Sequence, residues 1–231
     1  MDYNSSKYMN IYSYVCWDTA SALPKSCNQG GIFMNMLQIF AIIILLIFYG
    51  VSMIKLIAQR RKGIQTIQLG IGSKDKKTLL VEKLLKFAFI LIALIELASI
   101  LLNTNSFFPG NIRIVGLALT FTGTLVFIIA MLTMRDSWRA GIPAKDKTEI
   151  VTSGIYSISR NPAFFGFDLT YIGFYLAFDN LLLLVATLFV ITIIHLQILE
   201  EEKFLTYRFG EKYLEYKKRV GRYLKLSPFR L

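Results

Sequence analysis

The chain is poor in the residues that soluble enzymes use for metals, nucleophiles and nucleotides. It has one His and two Cys in 231 residues, and Cys16 and Cys27 lie far in sequence from His195, so a metal site is poorly supplied. No GxGxxG, P-loop or nucleophile-elbow sequence occurs, which removes the usual signals of a soluble nucleotide fold and of a Ser-His-Asp hydrolase. Charge is scarce as well. At 18% charged against 55% hydrophobic residues, the polar surface is too small to cover the core a soluble domain would form. Residues 1–31 lack a basic n-region leading into a short apolar core, so no cleaved signal peptide is expected there.

What is present is apolar sequence gathered into blocks of about 20 residues, the length a bilayer-spanning helix requires. Such blocks cover residues 32–54, 84–102, 112–134, 163–178 and 181–199. The fold expected is all-α, an integral membrane bundle of five transmembrane helices with a C-terminal cytoplasmic amphipathic helix. The second and third blocks, separated by the turn-prone 103–111 stretch, read as an antiparallel pair. The fourth and fifth, separated by Asp179 and Asn180 alone, read as a tight hairpin. Three regions follow: an external segment, residues 1–31; three spans with a basic loop at 55–83, residues 32–134; and a motif loop, hairpin and tail, residues 135–231.

A net charge of +11 is one footprint of nucleic-acid binding, but its placement argues for topology. Residues 55–86 hold nine basic residues against two acidic, 135–160 five against three, and 200–231 nine against five, whereas 103–110 has no Lys or Arg. That alternation follows the positive-inside rule. It places the N-terminus outside and the C-terminus in the cytoplasm, with a modest contribution to binding anionic lipid headgroups and no role for nucleic acid. Cys16 and Cys27 then fall outside, where a disulfide and two free thiols are both open readings.

Polar residues gather at two places. Residues 135–160 form a polar connection that runs into Arg160, Asn161 and Pro162 at the start of the fourth span. Pro is preorganised for a helix start, and a cation and an amide donor at a helix N-terminus suit an anion. The fifth span ends in HLQILEEEKF. At helical spacing His195 and Glu202 share one stripe and Gln197 and Glu201 another, while Glu200 reads as a solvated interfacial charge. After Gly210, Tyr213, Tyr216, Val220 and Tyr223 recur at helical spacing among Lys and Arg, as in an interfacial amphipathic helix.

Residues 135–224 resemble the membrane methyltransferases related to isoprenylcysteine carboxyl methyltransferase and the phospholipid methyltransferases. The resemblance rests on SWRAGI at 137–142, TEIVTSGIYSISRNPAFFG at 148–166, and HLQILEEEKFLTYRFGEKYLEYKKRVGRYL at 195–224. It implies an enzyme that transfers a methyl group from S-adenosylmethionine to a lipid-like or prenylated acceptor, with carboxyl O-methylation favoured. It implicates Tyr156, Arg160, Asn161 and Pro162, and then His195, Gln197, Glu201 and Glu202, in holding the cofactor, with Arg160 and Glu201 carrying the chemistry. Asn161 stands where many members have His, Phe164 where Tyr is common, and Gly221 where several carry Pro. Two alternatives stay open. An NADPH-dependent sterol reductase has a similar Arg-His-Pro-Asn-Tyr patch, and a non-catalytic membrane scaffold would retain the fold without turnover.

Overall fold

The computed structural model describes residues 15–17, 24–26, 34–72, 74–142 and 149–224. In the N-terminal unit, strands β1 (Val15–Trp17) and β2 (Pro24–Ser26) pair antiparallel, with Cys16 opposite Lys25. Cys27, and with it the question of a disulfide, lies outside the described residues.

From Asn35 onward the chain is helical. The elements are α1 (Met36–Arg61), α2 (Lys76–Leu101), α3 (Gly110–Met134), α4 (Pro162–Ala177), α5 (Leu181–Phe209) and α6 (Glu211–Arg219). By length and composition α1, α2, α3 and α5 are each long and apolar enough to cross a membrane. Their outward faces carry Leu46, Ile54, Leu94 and Leu132, each more than 60% exposed, a surface suited to lipid rather than water. The chain is an integral membrane protein. The helix α4, with 16 residues, is shorter than the other four and spans about 24 Å at 1.5 Å per residue. The apolar blocks underestimate α1 and α2, because Lys55, Arg60 and Arg61 continue the first helix and Lys76, Lys77 and Lys83 begin the second. Only residues 62–75 of the basic stretch join them.

The helices do not pair in sequence order. The contacts run from α1 to α3, α3 to α4, α4 to α5, α5 to α2 and α2 back to α1, a closed circuit. The expected pairing of α2 with α3 is therefore corrected: α2 packs chiefly on α5, and α3 on α4. Backbone contact explains the second choice. Gly116 and Gly123 on α3 meet Gly173 and Gly166 on α4, and a Cβ placed at Gly123 would lie 2.6 Å from the Thr170 nitrogen. Seven residues separate the glycines on each helix, two turns, so both fall on one stripe. In lipid, where apolar side chains gain nothing by leaving the solvent, such close approach supplies the association. Although α4 and α5 are consecutive, each rests mainly on a different neighbour. Their turn is fixed by the buried Asp179 carboxylate, which accepts from the backbone N–H groups of Ser106, Phe107 and Phe108, and by Asn180, whose side chain caps α5 at Leu183 N, 2.9 Å away.

Inside the circuit Phe48 of α1 makes edge contacts with Phe127 of α3 at 5.4 Å and with Phe167 and Tyr171 of α4 at 5.4 and 6.0 Å. Phe89 of α2 reaches Phe167 at 5.4 Å. These rings tie four helices at one level.

Two sequence expectations need correction. Glu200 is buried, accepting from Thr78 Oγ1 at 2.9 Å with Lys77 Nζ at 3.1 Å, because α2 lies over that face of α5. The tail is helical only to Arg219, and its apolar side chains Tyr213, Tyr216 and Val220 pack with Ile150, Leu205 and Phe209. Beyond it, Gly221 pairs in parallel with Ser159, which takes Val220 to Tyr223 out of helical register.

Replacing Gly123 by Ala is expected to destabilise the bundle by about 1–3 kcal/mol, as overpacking does, lowering the thermal unfolding midpoint followed by circular dichroism in detergent. The same change at Gly50, where an added Cβ meets nothing within 4 Å, should not lower it.

Candidate functional site

Three chain segments meet where α4 begins and α5 ends. Arg160 N donates to Gly221 O at 2.9 Å and Asn161 N to Arg222 O at 3.2 Å, so the tail lies along residues 159–161 as a short parallel pair. The Glu202 carboxylate fastens the junction. It accepts from Arg160 Nη2 at 2.8 Å, from Asn161 Nδ2 at 3.3 Å, and from Arg222 Nε and Nη2 at 3.1 and 3.0 Å. Arg160 also donates through Nη1 to Lys217 O and Val220 O, both at 3.0 Å, carbonyls at the C-terminal end of α6 that have no intrahelical donor. Glu202 in turn holds the Arg222 guanidinium above its ordinary range.

Against this junction lies a cavity of about 520 Å³ with mostly apolar walls. Of the eight residues singled out from sequence, Tyr156, Arg160, Asn161 and Glu201 line it. The other four stand behind it or beside it. Pro162 occupies the first turn of α4. Gln197, fully buried, donates to Glu201 Oε1 at 2.9 Å and so orients that carboxylate. Glu202 is taken up by the two arginines. His195 lies apart, its Nδ1 3.0 Å from the Tyr223 hydroxyl and its ring stacked on that phenol.

The unspent polar atoms mark what this end of the cavity offers. Arg160 Nε and the Tyr213 hydroxyl are buried with no hydrogen-bond partner among the described residues, and both residues line the wall. Tyr216 donates to Tyr156 O at 2.6 Å. Burial pushes the Tyr156 phenol up, with Glu201 adding to the effect, and pushes Tyr216 up to about 12, so both keep their protons through the neutral range. The set is one guanidinium N–H donor, one free hydroxyl, one carboxylate and aromatic faces. It fits a zwitterionic ligand with hydroxyls, since the carboxylate accepts from ammonium or hydroxyl groups and the guanidinium donates to a carboxylate. Among the described residues no group of three or more His, Cys, Asp or Glu is arranged to hold a metal.

The roof of the cavity comes from residues the motifs do not include. Ala140 N donates to Thr66 O at 3.0 Å and Gln68 N to Ala140 O at 2.8 Å, joining the α1–α2 connection to the segment after α3. The fully buried Glu82 clamps both, accepting from Gly70 N at 2.8 Å, Ile142 N at 2.9 Å and Lys74 Nζ at 2.6 Å. Sequence reasoning missed Glu82 and Arg222 as partners. It also passed over Glu96 and Asp168, although an acid inside an apolar block is itself the signal of a specific role.

Comparison with known proteins covers two of the three segments of this junction, the start of α4 and the end of α5. Residues 112–212 match the family described as phospholipid methyltransferase. Over this stretch the chain is similar to the phospholipid methyltransferases. Two curated relatives are protein-S-isoprenylcysteine O-methyltransferases. That of Saccharomyces cerevisiae is 35% identical over 111 residues, 47% of this chain and 46% of the relative. That of Xenopus laevis is 34% identical over 112 residues, 47% of this chain and 39% of the relative. The chain thus spans less than half the length of each curated relative it matches. The matched residues run from the first turn of α3 into α6; α1, α2 and the loop between them lie outside them.

Glu202→Ala is expected to destabilise the protein by about 3–5 kcal/mol, the usual cost of leaving a buried cation unpaired, and to expose the tail to limited proteolysis. Lys62→Ala, which removes the solvent-exposed Lys62–Asp136 pair at 2.8 Å, should leave both readouts unchanged.

Proposed function

We propose that the protein is an S-adenosylmethionine-dependent methyltransferase that acts on a lipid-like or isoprenylcysteine-like acceptor, with carboxyl O-methylation favoured. One observation carries this reading: Arg160 and Glu201, far apart in sequence, line the same cavity, with an Nε that has no partner among the described residues on one and a carboxylate that accepts from Gln197 on the other. The cofactor would supply an activated methyl on a sulfonium. Glu201 would accept from its ammonium or ribose hydroxyls, Arg160 Nε would donate to its carboxylate, Tyr213 would add a hydroxyl donor, and Tyr156 would offer a ring face. Asn161 closes the wall, and Pro162, Gln197 and Glu202 position these groups.

The protein's task is then mainly placement. A carboxylate acceptor needs no general base, so holding the acceptor in line with the methyl in a dry cavity supplies most of the rate. The apolar walls of Phe127, Phe164 and Phe167 suit the hydrocarbon part of such an acceptor. In this reading α4 is the fifth crossing, and the basic residues place the junction and the tail on the cytoplasmic side with the N-terminus outside. The α6 end closes over the cofactor.

Calorimetry on the purified full chain in detergent tests the cofactor. S-adenosylhomocysteine should bind, and Glu201→Gln and Tyr213→Phe should each weaken it roughly tenfold, the loss of one good hydrogen bond, with helicity unchanged. Preferential NADPH binding would favour a reductase, and unaltered affinity in both variants would remove these two residues from the site. Incubation with radiolabelled S-adenosylmethionine and a native lipid extract should yield a labelled lipid-phase product that resists amine-directed but not mild alkaline cleavage, as a methyl ester does.

A further inference from the structure

Methylating a carboxylate removes its charge. An oxygen lone pair forms the new O–C bond as the C–S bond breaks, the bonding electrons stay on sulfur, and no proton moves. Acid and ester then share one hydrocarbon body and differ by a single negative charge. A cavity that takes in the first and gives up the second is served by a cation placed where that charge sits.

The charged residues of the cavity wall are Lys86, Arg139, Glu149, Arg160 and Glu201. Arg160 has both Nη atoms bound, to Glu202 and to carbonyls at the end of α6, and in the proposed function its Nε goes to the cofactor. Arg139 Nη1 donates to Asp136 O and Trp138 O at 2.7 and 2.8 Å. Lys86 makes no hydrogen bond or ion pair with a described residue. It lies ten residues into α2, about 15 Å from the helix start, between Leu85 and Phe87 of the apolar block, where a cation is costly and marks a functional position. The acid one turn before it, Glu82, is already filled by Lys74 Nζ, Gly70 N and Ile142 N.

Neighbours fix the depth of Lys86 in the cavity. Glu82, about 6 Å of rise toward the start of α2, belongs to the roof, and Phe89, about 4.5 Å the other way, meets Phe167 at 5.4 Å. Lys86 therefore stands where the polar end gives way to the rings. Helical side chains lean toward the N-terminus of their helix, and the start of α2 is at the junction end, since Thr78 and Lys77 hold Glu200 of α5. The lean favours the polar end. Met53 and Ile90, 55% and 56% exposed, line the same mouth between α1 and α2.

We propose that Lys86 is a specificity residue for the acceptor: it holds the carboxylate of a lipid-like acid at the edge of the polar end and, because the ester carries no charge, lets the product leave toward the membrane. The inference rests on carboxyl methylation as proposed above and adds to it a means of telling substrate from product. A lysine that only laid its stem along lipid and sent its ammonium to the headgroups would hold no such preference.

The test uses N-acetyl-S-farnesylcysteine and its methyl ester as paired probes. Trp138 lines the cavity, and Trp17 is the other of two tryptophans, so binding to the full chain in detergent can be followed through Trp138 emission in a Trp17→Phe background. The readout is the ratio of the ester Kd to the acid Kd, and comparing this ratio between variants cancels the unequal partitioning of the probes into detergent. Lys86→Gln should lower it about tenfold, the loss of one charge-assisted contact, and Lys86→Arg should keep most of it. Lys83→Gln, on the same helix and outside the cavity wall, should leave it in place. A ratio unmoved by Lys86→Gln, as when the lysine only reaches the headgroups or the acid pairs with Arg160 instead, overturns the proposal. So does an equal fall in Lys83→Gln, which would reveal bulk attraction of the anion, or no binding of either probe. A ratio that depends on Lys86 in protein that fails to bind S-adenosylhomocysteine would support the anion site and overturn methyl transfer. No dependence on Lys86 in protein that binds S-adenosylhomocysteine would overturn the assignment of Lys86 alone.

Discussion

The Glu202 carboxylate is the contact on which the site depends. It takes bonds from Arg160 and Asn161 at the start of α4 and from Arg222 in the tail, so three segments distant in sequence converge on one anion. Both Arg160 and Glu202 are nearly dry, at 7% and 5% side-chain exposure. In such surroundings neither charge is tolerable alone. The arrangement also divides the acidic pair. Glu202 is consumed by structure, whereas its neighbour Glu201 points to the cavity with only Gln197 against it. Arg160 is divided in the same way, with both Nη atoms committed to Glu202 and to the end of α6 and Nε left without a partner among the described residues. Residues that read alike in sequence are thus divided, with Glu202 and the Arg160 Nη atoms forming a frame and Glu201 left at the cavity wall.

Close packing at one place opens space at another. The glycines of α3 and α4 let those backbones touch, while Phe48, Phe89 and Phe167 hold α1 and α2 away from the start of α4 by the width of their rings. The cavity lies on the aromatic side. Met53 and Ile90, each more than half exposed, and Lys86 are part of its wall, so it opens between α1 and α2 onto the face that meets lipid. An apolar molecule dissolved in the membrane would reach the rings without crossing water, while the junction at the end of α5 faces the connecting loops.

How much of this was legible in the sequence follows from what each residue type reports. The apolar blocks gave the long helices because block length is a property of single segments, and the junction was legible because Arg160, Asn161 and the acidic pair are polar where lipid would forbid it. The order of helix packing was not, since a Leu facing lipid and a Leu facing a helix have the same hydropathy. The seven-residue spacing of Gly116 and Gly123, and of Gly166 and Gly173, was the available clue. The tail misled for a different reason: Tyr213 and Tyr216 have the spacing of a membrane-facing stripe, yet both are buried against protein, and amphipathic spacing does not say what covers the apolar face. Glu200 misled likewise, because its partners Thr78 and Lys77 come from α2 and no local pattern announces them.

The two ends of the cavity have different sources in the chain, and this limits what the relatives can teach. Tyr156, Arg160, Asn161 and Glu201 lie within the matched residues 112–212, as does Glu202, whereas the tail residues that pair with the start of α4, Lys217, Val220, Gly221 and Arg222, lie after them. Phe48, Tyr49, Leu85 and Phe89 lie before it, as does Glu82, which ties the roof together. The matched residues supply most of the polar end of the cavity. The wall that would meet an acceptor's tail is built largely from α1 and α2, where no such correspondence constrains it, so the shape and polarity of that wall have to be read from this chain alone. On that wall polarity departs from hydrocarbon at Tyr49, Ser52 and Lys86, and of these Tyr49 is anchored from behind by the buried carboxyl of Glu96, a group costly to keep in a membrane interior.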